Sequence, residues 1–204
     1  MQKQPNRVLI LFAHPAIQKS RVNKRLIRYI SDLEDVTIHD LYEAYPDLHI
    51  RVRPEQRLME DHDIIVFHHP ILWFSTPAIL KEWQDLVLTH GWAYGQEGTA
   101  LRGKKLLSVI STGGRESLYS KEGFHKRTLS EFLTPIAQTA YVCGMDYLRP
   151  FVVHGTHKLT KEQIAQHGAD YRRIITALRD GKVDFEAARG LSRLNLDLNR
   201  ILME

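Results

Sequence analysis

Five short apolar stretches along the chain predict β-strands. They cover residues 8–14, 36–41, 63–69, 106–111 and 148–155. Several of them are apolar at consecutive positions, which is typical of strands covered on both faces. The second is a short β-branched segment, VTIHDL.

Helical patterns separate these strands. Leu26, Ile27 and Ile30 have the spacing of one helical face, and Pro54 and Pro77 stand where a helix can begin. Thr160-Lys-Glu-Gln has the pattern of a capping box. The predicted helices cover residues 23–33, 54–60, 78–88, about 126–141, where Pro135 predicts a kink or a break, and a last helix after Thr160.

Strands and helices alternate five times, which predicts an α/β fold with helices on both faces of a parallel sheet. Five strands favour a flavodoxin-like three-layer sandwich with strand order 2-1-3-4-5. Ligands of such sheets bind outside the carboxyl ends of the strands, at the switch point between strands 1 and 3. The loops after His14, His69 and Ser111 are therefore the candidate site.

Composition narrows the functional classes. The net charge is +4 and the charges are interspersed, without the basic stripe that nucleic-acid binding would require. A single cysteine, Cys143 in an apolar run, excludes an internal disulfide and predicts a buried thiol in a reducing compartment. The apolar runs are too short to span a bilayer, and no signal-peptide pattern is present. We expect a soluble cytoplasmic protein with no direct membrane insertion.

The first loop, residues 14–23, carries Ser20 and Asn23 at the start of a helix. An ordinary helix cap is the commoner use of these residues. Free amides at a helix start also bind phosphate, so both roles stay open. The loop contains no glycine, which argues against a P-loop or a Rossmann turn.

The second loop, residues 69–77, places Trp73 and Phe74 between two prolines. Exposed aromatic pairs are costly unless they pack or meet a ligand, so these side chains either fill the core or form an apolar wall for a flat heteroaromatic ring. His68 and His69 point to opposite faces of a strand, and no metal site is predicted.

The third loop, residues 112–125, reads TGGRESLYSKEGFH. A plain surface connection is rarely this long, because structureless loops of this size are usually functional or disordered. Gly113 and Gly114 allow close backbone approach to a ligand. Tyr119 and His125 can donate hydrogen bonds to an oxygen that becomes negative during a reduction.

Three motifs carry a family resemblance. AHP followed by S-x-x-N, HP-x-x-WFS-x-PA-x-LKEW, and TGG followed by YS-x-x-G-x-H occur in the order found in NAD(P)H:quinone oxidoreductases of the DT-diaphorase type, which they resemble. GWAYG and the following GTALRGK are similar to the ancillary oxidoreductase subunits of the bacterial glutathione-regulated potassium-efflux system. The resemblance covers about residues 7–179, so we expect a flavin-binding domain over 1–182 and a tail, 183–204, that packs on this domain or on a dimer mate.

The resemblance implies a flavin site and two catalytic residues. Tyr119 and His125 match the tyrosine and histidine that face the flavin and the substrate. The implied flavin-binding positions are His14, Ser20, Arg21, Val22, Asn23, Ile71, Leu72, Trp73, Phe74, Ser111, Thr112, Gly113 and Gly114.

The resemblance further implies two-electron, ping-pong reduction of quinones by NAD(P)H in a homodimer. FMN is favoured over FAD, because the loop at Ser20 satisfies one phosphate. The alternative is a regulatory subunit that activates a potassium-efflux antiporter, with vestigial or sensory redox activity, recruited to the inner face of the membrane by that partner. An electron-transfer flavodoxin is disfavoured by the basic charge balance and by the Tyr119/His125 loop.

Three residues depart from the family pattern. Leu72 stands where many relatives have glutamine, which removes one possible side-chain contact to the flavin. Arg115 and Glu116 replace residues that are often small in the diaphorase branch.

Overall fold

The computed structural model describes residues 4–203, and a parallel sheet runs through its centre. The strands are β1 (Val8–Phe12), β2 (Val36–Asp40), β3 (Ile64–Pro70), β4 (Lys105–Ser111), β5 (Asp146–Tyr147) and β6 (Phe151–Val153). Their order is β2-β1-β3-β4-β5, with β6 also paired to β4, and every pairing is parallel. The predicted α/β fold and strand order are confirmed.

Helices connect the strands. In chain order they are α1 (Asn23–Ile30), α2 (Leu41–Ala44), α3 (Val52–Glu60), α4 (Ala78–Val87), α5 (Leu129–Phe132), α6 (Thr134–Val142), α7 (Lys161–Arg179), α8 (Phe185–Arg189) and α9 (Leu198–Ile201). Short 3-10 turns lie at Ile17–Lys19, Glu116–Leu118 and Leu194–Leu196.

Two apolar cores cover the two faces of the sheet, because successive strand residues point to opposite sides. Leu9 and Leu11 of β1 pack in the core that α3, α4 and α6 cover. Val8 and Ile10 pack in the core that α1, α7 and the tail cover. All five β1 residues are buried, as their continuous apolar pattern predicts.

The fifth strand position is divided, which corrects the single strand predicted over 148–155. β5 pairs with the beginning of β4 and β6 with its end. Leu148, Arg149 and Pro150 separate the two pieces, and Pro150 has no amide hydrogen to donate to the ladder.

Several predicted helix boundaries are also corrected. The helix expected over 126–141 is two helices, α5 and α6, with Leu133 between them and Pro135 in the first turn of α6, a position that proline tolerates. α3 begins at Val52, before Pro54. α1 ends at Ile30, three residues short of its predicted end, while α7 begins with the predicted capping box at Thr160.

The tail folds back across one face of the sheet. Its buried apolar residues share the core of α1 and α7, and they are Val183, Ala188, Leu191, Leu194, Leu198 and Ile201. Cys143 is buried at the end of α6. Within residues 4–203, no helix has both the length and the apolar character needed to cross a membrane.

Candidate functional site

A cavity of about 380 Å³ opens at the carboxyl edge of the sheet, where the loops after β1, β3, β4 and β6 meet. Its volume lies within the range of small-molecule sites. It is lined by His14, Lys19, Ser20, Arg21, Val22, Asn23, Pro70, Ile71, Leu72, Ser111, Gly113, Thr156 and His157.

Most of the predicted flavin-binding residues therefore come together, but four do not line this cavity: Trp73, Phe74, Thr112 and Gly114. The prediction missed Lys19, Pro70, Thr156 and His157 among the lining residues. The last two belong to the loop after β6. The rule that drew attention to the other strand ends applies equally to this one, so a signal for them was present.

Asn23 ties the first loop to the sheet. Its side-chain Nδ2 donates to Ser20 Oγ at 3.1 Å and to Ser111 Oγ at 3.0 Å, and its backbone N–H donates to Ser20 Oγ at 3.1 Å. Asn23 and Ser111 are 2% and 3% exposed, so these bonds are shielded from water. The loop after β1 is thereby fixed against the end of β4.

His68, on β3, forms a hydrogen bond with the Asn23 side chain. His68 Nε2 lies 3.1 Å from Asn23 Oδ1, and His68 Nδ1 lies 3.3 Å from the Tyr171 hydroxyl. Because the amide oxygen accepts, Nε2 carries the hydrogen and Nδ1 accepts from Tyr171. Complete burial lowers the pKa of His68 to about 3, which keeps the ring neutral and this arrangement intact at physiological pH.

The start of α1 presents unpaired donors to the cavity. Among residues 4–203, the backbone amides of Arg21, Val22 and Lys24 have no hydrogen-bond acceptor. The positive end of the helix dipole lies at the same place. Within the described residues, the N-cap of α1 is Val22, without a side-chain cap bond; Ser20 accepts only from Asn23, and the neighbouring amides are free for an anion.

His14, at the beginning of this loop, also lines the cavity. Its Nδ1 accepts the Ala16 N–H at 3.1 Å, which leaves the hydrogen on Nε2. Burial lowers the pKa of His14, so the residue is a neutral donor in the cavity wall.

The second loop contains a strained turn. Leu72 and Ser75 exchange two backbone hydrogen bonds of 3.0 Å, and Trp73 and Phe74 between them have φ angles of 47° and 65°. Two positive φ angles define a type I′ turn, which normally contains Asn-Gly. Bulky residues in this conformation cost about 1–3 kcal/mol each, and such strain clusters at functional sites.

The two aromatic side chains of this turn have different surroundings. Trp73 is 94% exposed, which rules out core packing for it. Phe74 is partly exposed and stacks on Phe132 with ring centroids 5.1 Å apart. The turn thus extends an apolar edge beyond the cavity.

Thr112 and Gly114 join the loops after β4 and β6. Thr112 Oγ1 donates to the Gly114 carbonyl at 2.8 Å and lies 3.0 Å from His154 Nδ1. The Gly114 carbonyl also accepts the Gly155 N–H at 2.9 Å. The Thr112 hydroxyl and the Gly114 carbonyl, both at predicted flavin-binding positions, therefore already have hydrogen-bond partners within the protein. Gly113 faces the cavity instead, and a Cβ there would lie 2.9 Å from His157 Nε2.

Tyr119 and His125 lie together in an aromatic cluster beside the strained turn. Their ring centroids are 4.8 Å apart, and His125 contacts Phe74 edge to face at 5.1 Å. Tyr119 also lies 5.4 Å from His154. Neither residue lines the 380 Å³ cavity, but the cluster joins them to the second loop.

A second cavity, of about 240 Å³, lies behind Tyr119 and is also lined by Glu116, His154 and Arg193. Burial lowers the pKa of His154 to about 4. The Arg193 guanidinium, by hydrogen bonding, lowers the pKa of Glu116. The Glu116–Arg193 ion pair and a neutral His154 therefore share this cavity with Tyr119. Within residues 4–203, no group of three potential metal-ligating side chains occurs.

Comparison with known proteins adds a family and several relatives. Residues 6–175 match the profile of a protein family described by its flavodoxin-like fold. The chain is 45% identical over 168 residues to the uncharacterized NAD(P)H oxidoreductase YrkL of Bacillus subtilis, covering 81% of this chain and 97% of that protein.

Two further relatives bear on function. The glutathione-regulated potassium-efflux system ancillary protein KefG of Yersinia pestis is 42% identical over 171 residues, which are 84% of this chain and 93% of that protein. The crystal structure of general stress protein 14 from Treponema denticola, a complex with FMN, superposes with a TM-score of 0.81 and is 39% identical. That superposition covers 84% of this chain and 99% of the Treponema chain.

Proposed function

The chain belongs to the flavodoxin-like family, and from this premise we propose that it is a flavin-dependent NAD(P)H:quinone oxidoreductase. One observation carries the proposal. The free amides at the start of α1, the 380 Å³ cavity and the Tyr119/His125 cluster follow one another along the same edge of the sheet.

The residues fit a flavin at this edge. Ser20, Arg21 and the free amides would bind its phosphate, because helix starts favour anions. Ile71, Leu72 and Gly113 also line the cavity, and Leu72 directly precedes the aromatic turn. They would hold the ring, with Trp73 and Phe74 as the apolar edge.

A bound flavin supplies hydride transfer, from NAD(P)H in one half of a ping-pong cycle and to a quinone in the other. The protein provides the surroundings. Tyr119 and His125 would donate hydrogen bonds to oxygen that becomes negative. Their aromatic neighbours would keep this region apolar, which strengthens such bonds. The quinone is proposed from the motif resemblance, and the use of NAD(P)H is supported by the similarity to the NAD(P)H oxidoreductase of Bacillus subtilis.

FMN is the proposed flavin. The loop at Ser20 would bind one phosphate, and the Treponema relative is a complex with FMN. A groove lined by Arg21, Lys24, Arg25, Arg28 and Lys161 adjoins this loop. FAD, which carries a second phosphate, must therefore be titrated beside FMN.

The test begins with the absorption spectrum of the purified protein, then titration of flavin-free protein with FMN and with FAD. Under anaerobic conditions, NADPH should bleach the bound flavin and a benzoquinone should restore its colour. Tyr119→Phe and His125→Gln should each lower quinone reduction by about 10²-fold, the lower end for a lost oxyanion donor.

Matched controls come from exposed residues elsewhere. Tyr141→Phe and His49→Gln make the same chemical changes outside the site, at exposed positions, and should leave the rate unchanged. A protein that binds neither flavin would refute the enzyme. Active Tyr119→Phe and His125→Gln variants would refute only the two assigned roles.

The similarity to KefG favours a second candidate function, activation of a potassium-efflux antiporter. In that case the protein would be cytoplasmic and held at the membrane by its partner. Co-purification with the antiporter, and potassium efflux that persists after Tyr119→Phe and His125→Gln, would favour activation over catalysis as the main function.

We also propose a homodimer. Trp73 is 94% and Phe124 81% exposed. The two residues are close to each other, because His125 contacts both Phe124 and Phe74, the residue after Trp73. Such apolar surface beside a site is typical of an interface. Light scattering should give twice the chain mass, and Phe124→Ser should shift the equilibrium toward monomer.

A further inference from the structure

The segment 183–203 lies beyond the family match, which ends at residue 175. The Treponema relative is covered over 99% of its length by 84% of this chain. One contact of this segment reaches the loop that carries Tyr119.

The segment is firmly attached at both its ends and its middle. Asp184 N–H donates to the Ile201 carbonyl at 2.8 Å, and Met203 N–H donates to the Lys182 carbonyl at 3.1 Å, which closes the segment on itself. Its apolar residues are buried against α7 and the sheet. The backbone around Arg193 is thus held by the core.

Asn195 fixes the position of this backbone on the edge strand. It accepts the Val152 N–H at 3.0 Å and donates to the Val152 carbonyl at 2.8 Å. Leu194 N–H donates to the Pro150 carbonyl at 2.9 Å. These bonds occupy the free edge of β6, which would otherwise be open to pairing with another chain.

Arg193 reaches from this fixed backbone to Glu116. Its two terminal nitrogens pair with the two carboxylate oxygens, and the Nη2–Oε2 distance is 3.1 Å. The Arg193 side chain is 19% exposed and that of Glu116 60% exposed. The arginine is the anchored partner and the glutamate belongs to the exposed loop.

Glu116 is coupled to both predicted catalytic residues through short backbone links. The Tyr119 N–H donates to the Glu116 carbonyl at 2.9 Å, and the His125 N–H donates to the Leu118 carbonyl at 3.1 Å. The turn Glu116–Leu118 therefore determines where both rings lie. Behind Tyr119, the 240 Å³ cavity leaves space into which the ring could move.

We propose that Arg193 is a positioning residue, which holds the Tyr119/His125 loop in its substrate-facing arrangement through the ion pair with Glu116. The proposal rests on the proposed function in taking these two rings as substrate-facing. An ion pair with one exposed partner stabilises only weakly, because water screens its charges. It therefore biases the local arrangement of the loop and contributes little to global stability.

The first experiment needs no enzymatic activity. Lys121 is exposed in this loop, so trypsin cleavage after Lys121, followed by mass spectrometry, reports how often the loop opens. Arg193→Ala and Glu116→Gln should each accelerate this cleavage about fivefold, the factor for roughly 1 kcal/mol. The exchanged pair Arg193→Glu with Glu116→Arg should return toward the wild-type rate.

The control is a second ion pair on the same segment. Arg189 pairs with Glu186 at 2.7 Å, with both side chains more than three-quarters exposed, and Arg189→Ala should leave cleavage unchanged. Should Arg193→Ala fail to fold, Glu116→Gln changes only the exposed partner and still tests the pair. Unchanged cleavage in Glu116→Gln would overturn the proposal.

The second experiment is kinetic, with NADPH and 1,4-benzoquinone. Arg193→Ala should raise the quinone KM by up to about twofold, the factor by which a fivefold shift depletes a mostly closed loop, while flavin content and the rate of flavin reduction by NADPH stay at wild-type values. Faster cleavage with an unchanged quinone KM would overturn the positioning role. Absence of quinone reduction in the wild type would instead refute the proposed function, and the cleavage rates would still decide whether the ion pair orders the loop.

Discussion

Replacing Asn23 by alanine should weaken flavin binding and lower stability together, because one buried side chain serves both. The change removes the donors to Ser20 and Ser111 and the acceptor for His68. His68 is fully buried, so its Nε2–H is left without a partner. A stranded buried donor costs about 1–3 kcal/mol and each lost neutral bond about 1 kcal/mol.

The total is roughly 3–5 kcal/mol of unfolding free energy. A chain of this size loses about 2–4 °C of melting temperature per kcal/mol, so calorimetry of flavin-free protein should show a decrease of roughly 6–20 °C. The loop at Ser20 loses its link to β4, which should weaken FMN binding about 5–30-fold in a fluorescence titration.

Two variants control this reasoning. Asn199→Ala makes the same chemical change at an exposed position of α9 and should shift neither quantity. Adding Ser111→Ala to Asn23→Ala should cost little more, since the two residues share one bond. An Asn23→Ala melting temperature within about 2 °C of wild type, or unchanged FMN affinity, would show that the network does not organise the loop.

Three further predictions follow from the same structure. Trp73→Asn should raise the melting temperature of flavin-free protein by about 2–4 °C, because asparagine tolerates a positive φ, and should reduce quinone turnover; a lower melting temperature would argue against backbone strain. Glu55→Gln should lower stability by about 1–3 kcal/mol in urea unfolding at pH 7, because the buried carboxylate accepts from Tyr45 and Trp83; unchanged stability would contradict this. The folded pKa of His68 is about 3 and that of an unfolded histidine about 6.5, so the unfolded state binds the extra proton and stability should fall as pH drops from 6.5 toward 3. His68→Gln should flatten this part of the pH–stability profile, and a profile as steep as that of wild type would show that another group titrates there.

The strand order and the location of the site were predictable because they depend on local composition. Consecutive apolar residues such as Val8–Phe12 have few structural choices in a chain of alternating elements. Once the order is known, the loops after His14, His69 and Ser111 must share one edge. The same rule places Thr156, which follows the last strand, at this edge, so the sequence contained the signal for it.

Other features of the site depend on contacts between residues that are far apart in the sequence, and these contacts could not be predicted from local patterns. Arg193 and Glu116 are 77 residues apart; Glu116 is recognisable as a departure from the family pattern, but nothing in the sequence links it to Arg193. The type I′ turn at Trp73 and Phe74 contradicts the residue preferences from which turns are predicted, because the surrounding structure holds it against local preference. Whether Trp73 was buried could not be decided from its hydrophobicity, because the same side chain suits a core or an apolar edge.

The two ends of the site have different physical origins, and mutations should separate them. The proposed phosphate end rests on buried bonds among Asn23, His68 and Ser111, so changes there should affect stability and flavin affinity together. The ring end rests on a strained exposed turn and on a loop held by Arg193, where fewer buried contacts are at stake. Changes there should affect the quinone step while stability stays constant or rises, which is the trade-off expected when catalytic residues are placed on strained elements.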